Sequence, residues 1–292
     1  MAATGTPASV GACHSELMTD AYERMMRANQ ANWDARTTVH LASRFYGVEE
    51  EPDPSRWFAP WEWDDLGEVA GRDVLHLQCH LGTETIAFAQ RGARTVGLDF
   101  SAASVTAATG IAARAGLDVT YVRANVYDAV RALGGRRFDV VYTGKGALCY
   151  LPDLDRWAGV VAELLRPGGH LYLVEFHPLL NSLGPKPTPG AGPELLLRHD
   201  YLGGNGPVHR DATHTYTDGP AVEGATDSYE WMHGLDEVVN ALVEAGLDIR
   251  RLRESPELPW PRWPHMTRAA SGWWRLPAPR IPLLYGLLAR RS

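Results

Sequence analysis

The stretch from Asp73 to Asp99, DVLHLQCHLGTETIAFAQRGARTVGLD, constrains the fold more than any other part of the chain. It reads as a buried strand, a tight loop at Gly82, an amphipathic helix, and a second strand ending on a carboxylate. A strand, a crossover helix and a parallel strand make one half of a nucleotide-binding α/β unit. A carboxylate closing the second strand lies where it can grip the hydroxyls of a ribose held over the loop.

The pattern repeats downstream. A helix runs from Ser101, a suitable N-cap, to about Ala115, and VTYVRAN gives a third strand with a short helix after it from near Tyr127 or Asp128. FDVVYTG is a fourth strand, Asp153 caps a helix ending near Arg166, and RPGG reads as a stop and turn before the fifth strand, HLYLVEFH. HGLDEVVNALVEAGL restores a helix, and LDIRRLRE and PLLYGLLAR supply the last two strands. The rhythm predicts an α/β fold with a seven-stranded, doubly wound, mostly parallel sheet over about residues 71–292. Two aromatic-rich insertions, at about 178–230 and 255–280, interrupt it near the carboxyl edge of the sheet, the edge where such folds bind ligands.

Upstream, residues 1–15 are small and polar and are expected to be disordered. Residues 16–70 read as a helical lid and wrap: one helix over about Glu16–Asn32, a second, shorter one over Trp33–Tyr46, then EPDPSRWFAPWEWDDLG as a surface loop.

Composition narrows the function. A hydrophobic content of 45% allows a substantial core, and no apolar run is long enough to cross a bilayer. A net charge of -7 argues against a surface that tracks phosphates, so no nucleic-acid partner is expected. Cys13, Cys79 and Cys149 are too scattered for a disulfide framework or a thiolate metal site, which suits a reducing cytoplasm and no bound metal. Tryptophan is in excess: of ten, only Trp157 falls within the sheet-forming stretch 71–177. Most of the others read as glue for irregular segments, and a few as the lining of a pocket for a flat acceptor. The aromatic candidates for that lining are Tyr46, Tyr229, Trp231, Trp260 and Trp263.

The order of elements resembles the Rossmann-like (class I) methyltransferases that use S-adenosylmethionine, over about Gly71–Arg253 and the last strand. LHLQCHLGTET, FDVVYTGKGALCYLPD, LRPGGHLYLVEFHP and SYEWMHGL look like a bacterial subgroup of small-molecule methyltransferases with an HLQCHxG pattern. NWDARTTVHLASRFYGVEE is similar to that subgroup's N-terminal segment. The first loop departs from the Gly-x-Gly-x-Gly of the wider family, carrying His76, Gln78, His80 and Gly82.

The resemblance implies S-adenosylmethionine as cofactor. Asp99 would take the ribose and Phe100 would pack on adenine, with Asn125 and Val126 beside the base. Gly144 and Lys145, opening the Gly144–Leu148 stretch, would back the sulfonium. Gly82 lets the backbone approach the ligand, and Gln78 or His80 can hydrogen-bond its methionine end. His76 reads as a core histidine. His177, His233 and Tyr22 are the candidates for accepting an acceptor proton, with Glu175, Glu230 and Tyr46 behind them.

The expected activity is methylation of a small, aromatic acceptor by a monomer or homodimer. The subgroup is similar to actinobacterial enzymes that methylate indole C3 in tryptophan-containing cyclic dipeptides, giving pyrroloindolines. O- or N-methylation of another metabolite is the alternative within the class. Outside it stand an NAD-dependent oxidoreductase, for which Gly-x-Gly-x-x-Gly is absent, and a cofactor-binding protein without catalysis.

Overall fold

Strand β1 (Asp73–Leu77) is buried along its whole length, and its side chains alternate between two cores. Leu75 and Leu77 face one, around Trp157; Val74 faces the other, with Phe88, Tyr142 and Tyr172. A strand covered on both faces needs an unbroken apolar run, which is why VLHL and the VVY of β4 (Phe138–Thr143) do not alternate with polar residues. The computed structural model describes residues 10–48, 54–183 and 195–292.

Around β1 the sheet grows in both directions. β2 (Arg94–Asp99) and then β3 (Val119–Arg123) lie on one side; β4 and β5 (Leu165–Phe176) lie on the other, all parallel. β12 (Leu284–Arg291) then inserts antiparallel between β5 and β8 (Leu247–Ser255), giving the order β3-β2-β1-β4-β5-β12-β8. The expected seven-stranded, mostly parallel sheet is therefore present, with its last two strands paired. Both edges are half-exposed and polar, as unpaired edges usually are.

Helices α3 (Thr83–Gln90), α4 (Ala102–Arg114), α5 (Ala129–Ala132), α6 (Leu154–Leu164) and α8 (Leu235–Glu244) make the crossovers. Two caps act as expected: Ser101 Oγ accepts the Ser104 N–H at 3.0 Å, and Asp153 accepts the Arg156 N–H at 2.9 Å. RPGG does not end before β5. It lies within the strand, where the pairing slips between Phe138 and Val140, and Gly169 sits with the Phe138 and Asp139 carbonyls about 3 Å from where a Cβ would be.

The N-terminal region differs from the two helices and loop expected. One helix, α1 (Val10–Leu41), runs unbroken through Asn32 and Trp33, and begins upstream of Glu16; residues 1–9 lie outside the described residues. The wrap is also helical, with a 3-10 turn at Pro54–Trp57 and α2 at Pro60–Leu66. Both prolines open their helices, where a missing N–H costs nothing. The wrap brings Phe58 onto Trp63 at 4.2 Å and seals the second core from outside.

Helix α1 lies across the carboxyl edge of the sheet and is fixed there by buried amides. Asn29 exchanges two hydrogen bonds with the backbone of Tyr229, at 2.9 and 2.7 Å, as a neighbouring strand would. Asn32 donates to Ala225 O, Gln30 to Phe100 O, and Asp34 accepts from Ser101 Oγ and the Ala103 N–H.

In the first insertion, α7 (Pro178–Ser182) precedes a hairpin of β6 (Val208–Asp211) and β7 (Asp227–Glu230); most of the Gly/Pro-rich connection, residues 184–194, lies outside the described residues. The second insertion folds into three short strands, β9 (Glu257–Leu258), β10 (Thr267–Arg268) and β11 (Trp274–Arg275). Among the described residues no helix is long and apolar enough to cross a membrane.

Candidate active site

Where β1, β2 and β4 end, their loops open into a cavity of about 540 Å³, roofed by α1 and walled by both insertions. The chain leaves β1 through two left-handed residues, Gln78 (φ 55°) and His80 (φ 47°), followed by Gly82 (φ 70°). Such a backbone is costly for residues with a Cβ and persists only where its surroundings hold it. Here Gln78 Nε2 donates to Ala147 O at 2.9 Å and the His80 N–H donates to Asp99 at 2.9 Å. At Gly82 a side chain would run into the Tyr121 hydroxyl, so this turn admits only glycine.

Asp99 closes β2 as expected, with one oxygen on the His80 N–H and the other on the Ser101 N–H. Burial raises its carboxyl to about 6, against the opposing pull of the Ser101 and His80 amides. The loop after β4 is anchored from beneath by Glu175, which accepts the N–H groups of Gly146, Ala147 and Leu148. That use of Glu175 is structural.

A hydrogen-bonded chain under α1 fixes the state of two histidines. Thr37 Oγ1 donates to Trp33 O, so Ser104 Oγ donates to Thr37 and accepts from His80 Nδ1. His80 Nε2 is then a bare acceptor for His40 Nδ1 at 2.8 Å. Both rings are neutral, in keeping with burial, which lowers His40 to about 3 and His80 well below its ordinary value. His76, lowered to about 4 by burial, bonds Thr85 Oγ1 at 2.9 Å; it is a buried histidine, as read, yet it also touches the cavity.

Gln78, His80, Asp99, Phe100, Asn125, Val126, Gly144 and Lys145 all line the cavity, whereas Gly82 packs against Tyr121 and is not among the lining residues. Lys145 does not reach solvent: its side chain is 5% exposed, with Nζ 3.6 Å from Glu62 of the wrap. Of the aromatic candidates, Tyr46 and Trp260 line it. Tyr46 shares a 2.6 Å hydrogen bond with Tyr216, whose ring stacks over Trp260.

Six other candidates are not among the lining residues. His177 caps α7 through Nδ1 and gives Nε2–H to Glu254 at 2.9 Å. His233 donates to Leu151 O at 2.8 Å, and Tyr22 packs edge-on against Trp231. Trp231 and Trp263 are buried in the surrounding packing, and Tyr229 stacks on His209 of the hairpin. Each is held by packing or hydrogen bonds of its own, and the structure does not bring these residues to the cavity lining. In their place the cavity gathers Trp33 and Arg36 from α1, Glu84 from α3, Tyr150, and Arg210, Tyr216 and Glu230 from the first insertion. Only Glu230 among these stood among the sequence candidates. The others lie on the lid and insertions, and the clustering of tryptophans there was the one signal for them.

Residues 75–171 match the family described as Methyltransferase domain. The ubiquinone biosynthesis O-methyltransferase of Stutzerimonas stutzeri is 32% identical over 135 residues, covering 45% of this chain and 57% of that protein. The chain thus spans little more than half the length of the curated relatives it matches. An S-adenosylmethionine dependent methyltransferase from Mesorhizobium loti superposes with a TM-score of 0.53 at 22% identity, over 84% of this chain and all of that one. The glycopeptide N-methyltransferase MtfA, solved with S-adenosylmethionine, gives 0.50 at 23% identity over 77% and 89%. Residues 75–171 thus match the methyltransferase domain family, and the chain shares its fold with solved S-adenosylmethionine dependent methyltransferases.

Proposed function

We propose that this chain transfers a methyl group from S-adenosylmethionine to a small aromatic molecule. The observation that carries the reading is that one cavity, at the carboxyl ends of β1, β2 and β4, is lined both by Asp99, Phe100, Asn125 and Val126 and by an aromatic wall. The residues present fit the cofactor. Each Asp99 oxygen has one N–H partner and lone pairs left for a ribose hydroxyl. Phe100, Asn125 and Val126 border the space beside it, where a base would lie. Gln78 Oε1 is buried in the wall without a hydrogen-bond partner, and with Glu84 it suits the ammonium of the methionine end. When bound, the cofactor supplies an electrophilic methyl group on a sulfonium that departs as a neutral thioether.

What the protein adds is alignment and dryness. Helix α1 closes the cavity from above, and Phe45, Tyr46, Trp57, Tyr216 and Trp260 offer flat faces for an aromatic guest. The finer reading is that this guest is the indole of a tryptophan-containing cyclic dipeptide, methylated at C3. Closure of an internal amide nitrogen on C2 then gives the pyrroloindoline and releases the amide proton. Glu230, which lines the cavity beside Arg210, is the carboxylate this reading assigns to take it, Asp99 and Glu84 being assigned to the cofactor. The matched relatives named as O-methyltransferases favour an aromatic hydroxyl as the second reading.

The test is incubation of purified protein with S-adenosylmethionine and a panel of indoles, phenols and cyclo(Trp-Trp), followed by mass spectrometry. A product heavier by one methyl, with matching S-adenosylhomocysteine, supports the reading. No S-adenosylhomocysteine from any acceptor would remove it.

A further inference from the structure

A second recess lies at the opposite end of the sheet from the cavity, and its charge is almost wholly positive. Arg72, His170, Arg250 and Arg290 line it, against Asp65 as the one lining carboxylate among the described residues. The strand register gathers them. His170 of β5 pairs with Arg290 of β12, on the face that carries Tyr172 and Leu288 two residues along each strand. β8 slips against β12 between Leu288 and Ala289, and the extra residue is Arg250, which the bulge turns into the same recess. Arg72 enters from just before β1. The protein's own anions leave part of this charge unanswered. Asp65 is engaged by Arg253 at 2.8 and 3.0 Å and by Arg251 at 2.6 Å. Arg250 has Asp248 at 3.1 Å, but Arg72 and Arg290 form no ion pair among the described residues. His170 Nε2 is buried without a hydrogen-bond partner. Such an atom costs free energy until a matching group arrives.

We propose that this recess is a binding site for a multiply charged oxyanion of the phosphate type, held by Arg72, Arg250 and Arg290 with His170 Nε2–H as a further donor. The inference goes beyond methyl transfer and does not rest on it, since Asp99 and its neighbours stand at the other ends of the strands. Planar guanidinium forks match phosphate oxygens in pairs. Two arginines without carboxylates call for more charge than one carboxylate brings. Among the described residues no Phe, Tyr or Trp lines the recess, whose apolar residues are Leu66 and Leu288, so a nucleobase finds no stacking face there. The group recognised is therefore the phosphate itself, whether free or at the end of a nucleotide. Burial, with Arg72 and Arg290 behind it, lowers His170 to about 4, while Asp139 pulls the other way and itself accepts Arg166 at 2.8 Å. Of the other charged groups lining the recess, Arg250 adds to the positive field and Asp65 is taken up by arginines. An anion lodged among these guanidiniums would raise the titration of His170.

The experiment is calorimetry on the whole chain as wild type, Arg72→Met and Arg290→Met, without divalent cations and with ionic strength held constant by potassium chloride. The ligands are diphosphate, triphosphate and ATP, and folding is checked by circular dichroism. Histidine ring signals are followed in parallel by NMR, with His170 assigned from His170→Gln. The expected result is one-to-one binding of diphosphate to the wild type, weakened about tenfold by each arginine substitution. The His170 signals should shift on binding, and their midpoint should move up from about 4. ATP should bind no more tightly than triphosphate, which assigns the site to the free anion; ATP binding at least about tenfold tighter would assign it to a nucleotide. No diphosphate binding to the wild type would overturn the inference, as would binding that survives both arginine substitutions or leaves the His170 signals unmoved. The wild-type NMR titration decides the matter where an arginine variant fails to fold.

Discussion

Asp99 makes the affinity for the cofactor depend on pH in a direction that can be worked out. Its carboxyl is raised to about 6 because it is buried at the end of β2, and the two amides that point at it only partly offset the burial. Ribose hydroxyls are donors, so the ionised form is the one that binds them, and protonation as the pH falls through about 6 weakens the site. Going from pH 7.5 to pH 5.0 takes such a group from almost wholly ionised to about one-tenth ionised, which lowers affinity about tenfold, or about 1.4 kcal/mol. Titration calorimetry with S-adenosylhomocysteine across that range reads the change directly. Asp99→Asn should bind weakly and show no such slope. A flat wild-type profile, or the same slope in Asp99→Asn, would refute the assignment of the ribose to this carboxylate.

Other parts of the structure give further expectations. Asp73, at the opposite end of the sheet, gathers Arg94, Arg136 and Arg166 at 2.8, 3.1 and 2.6 Å, and the hydrogen bond from Arg94 leads in holding its carboxyl well below the ordinary range. Asp73→Asn should cost about 1–2 kcal/mol in urea unfolding at pH 7, limited by the solvent around the arginines. Because the folded value is depressed, that difference should be full above the ordinary aspartate value of about 4 and shrink progressively as the pH falls below it toward the depressed folded value. Gly97→Ala should destabilise by about 1–3 kcal/mol, since a Cβ there would lie 2.6 Å from Tyr121 Cδ1 and 2.9 Å from Cys79 Sγ. An unchanged midpoint would show that Tyr121 can move aside. His177→Ala should lower stability by about 1 kcal/mol through loss of the α7 cap and the Glu254 bond, while leaving S-adenosylhomocysteine affinity intact. A fall in affinity without a fall in stability would return His177 to the site.

The sheet was legible because strands covered on both faces leave apolar runs, and because Ser101 and Asp153 mark the helix starts in the chain itself. The misread elements depend on partners that sequence does not display. Nothing between Asn32 and Trp33 breaks a helix, and what occupies Asn32 is the carbonyl of Ala225. Pro54 and Pro60 read as loop signals but occupy first helical positions. RPGG looks like a stop, yet the pairing of Leu165 with Phe138 carries the strand through it.

The same division runs through the site. Gln78, Asp99, Asn125 and Gly144 stand at fixed offsets from their strands, so reading the strands places them. The acceptor side is assembled from α1 and two insertions, and chemical character alone pointed to His177 and His233 there. Both rings spend their nitrogens on helix caps, carbonyls and carboxylates instead. Arg36 and Tyr216 carry no local signal, because their significance comes from facing Tyr150 and Tyr46 across the cavity.

The measurement that tests the central claim most directly is calorimetric titration of S-adenosylhomocysteine into the wild type and into Asp99→Ala at pH 7.5. The account predicts saturable one-to-one binding to the wild type and a loss of at least tenfold in the variant. No binding to the wild type, or equal binding to both, would contradict it.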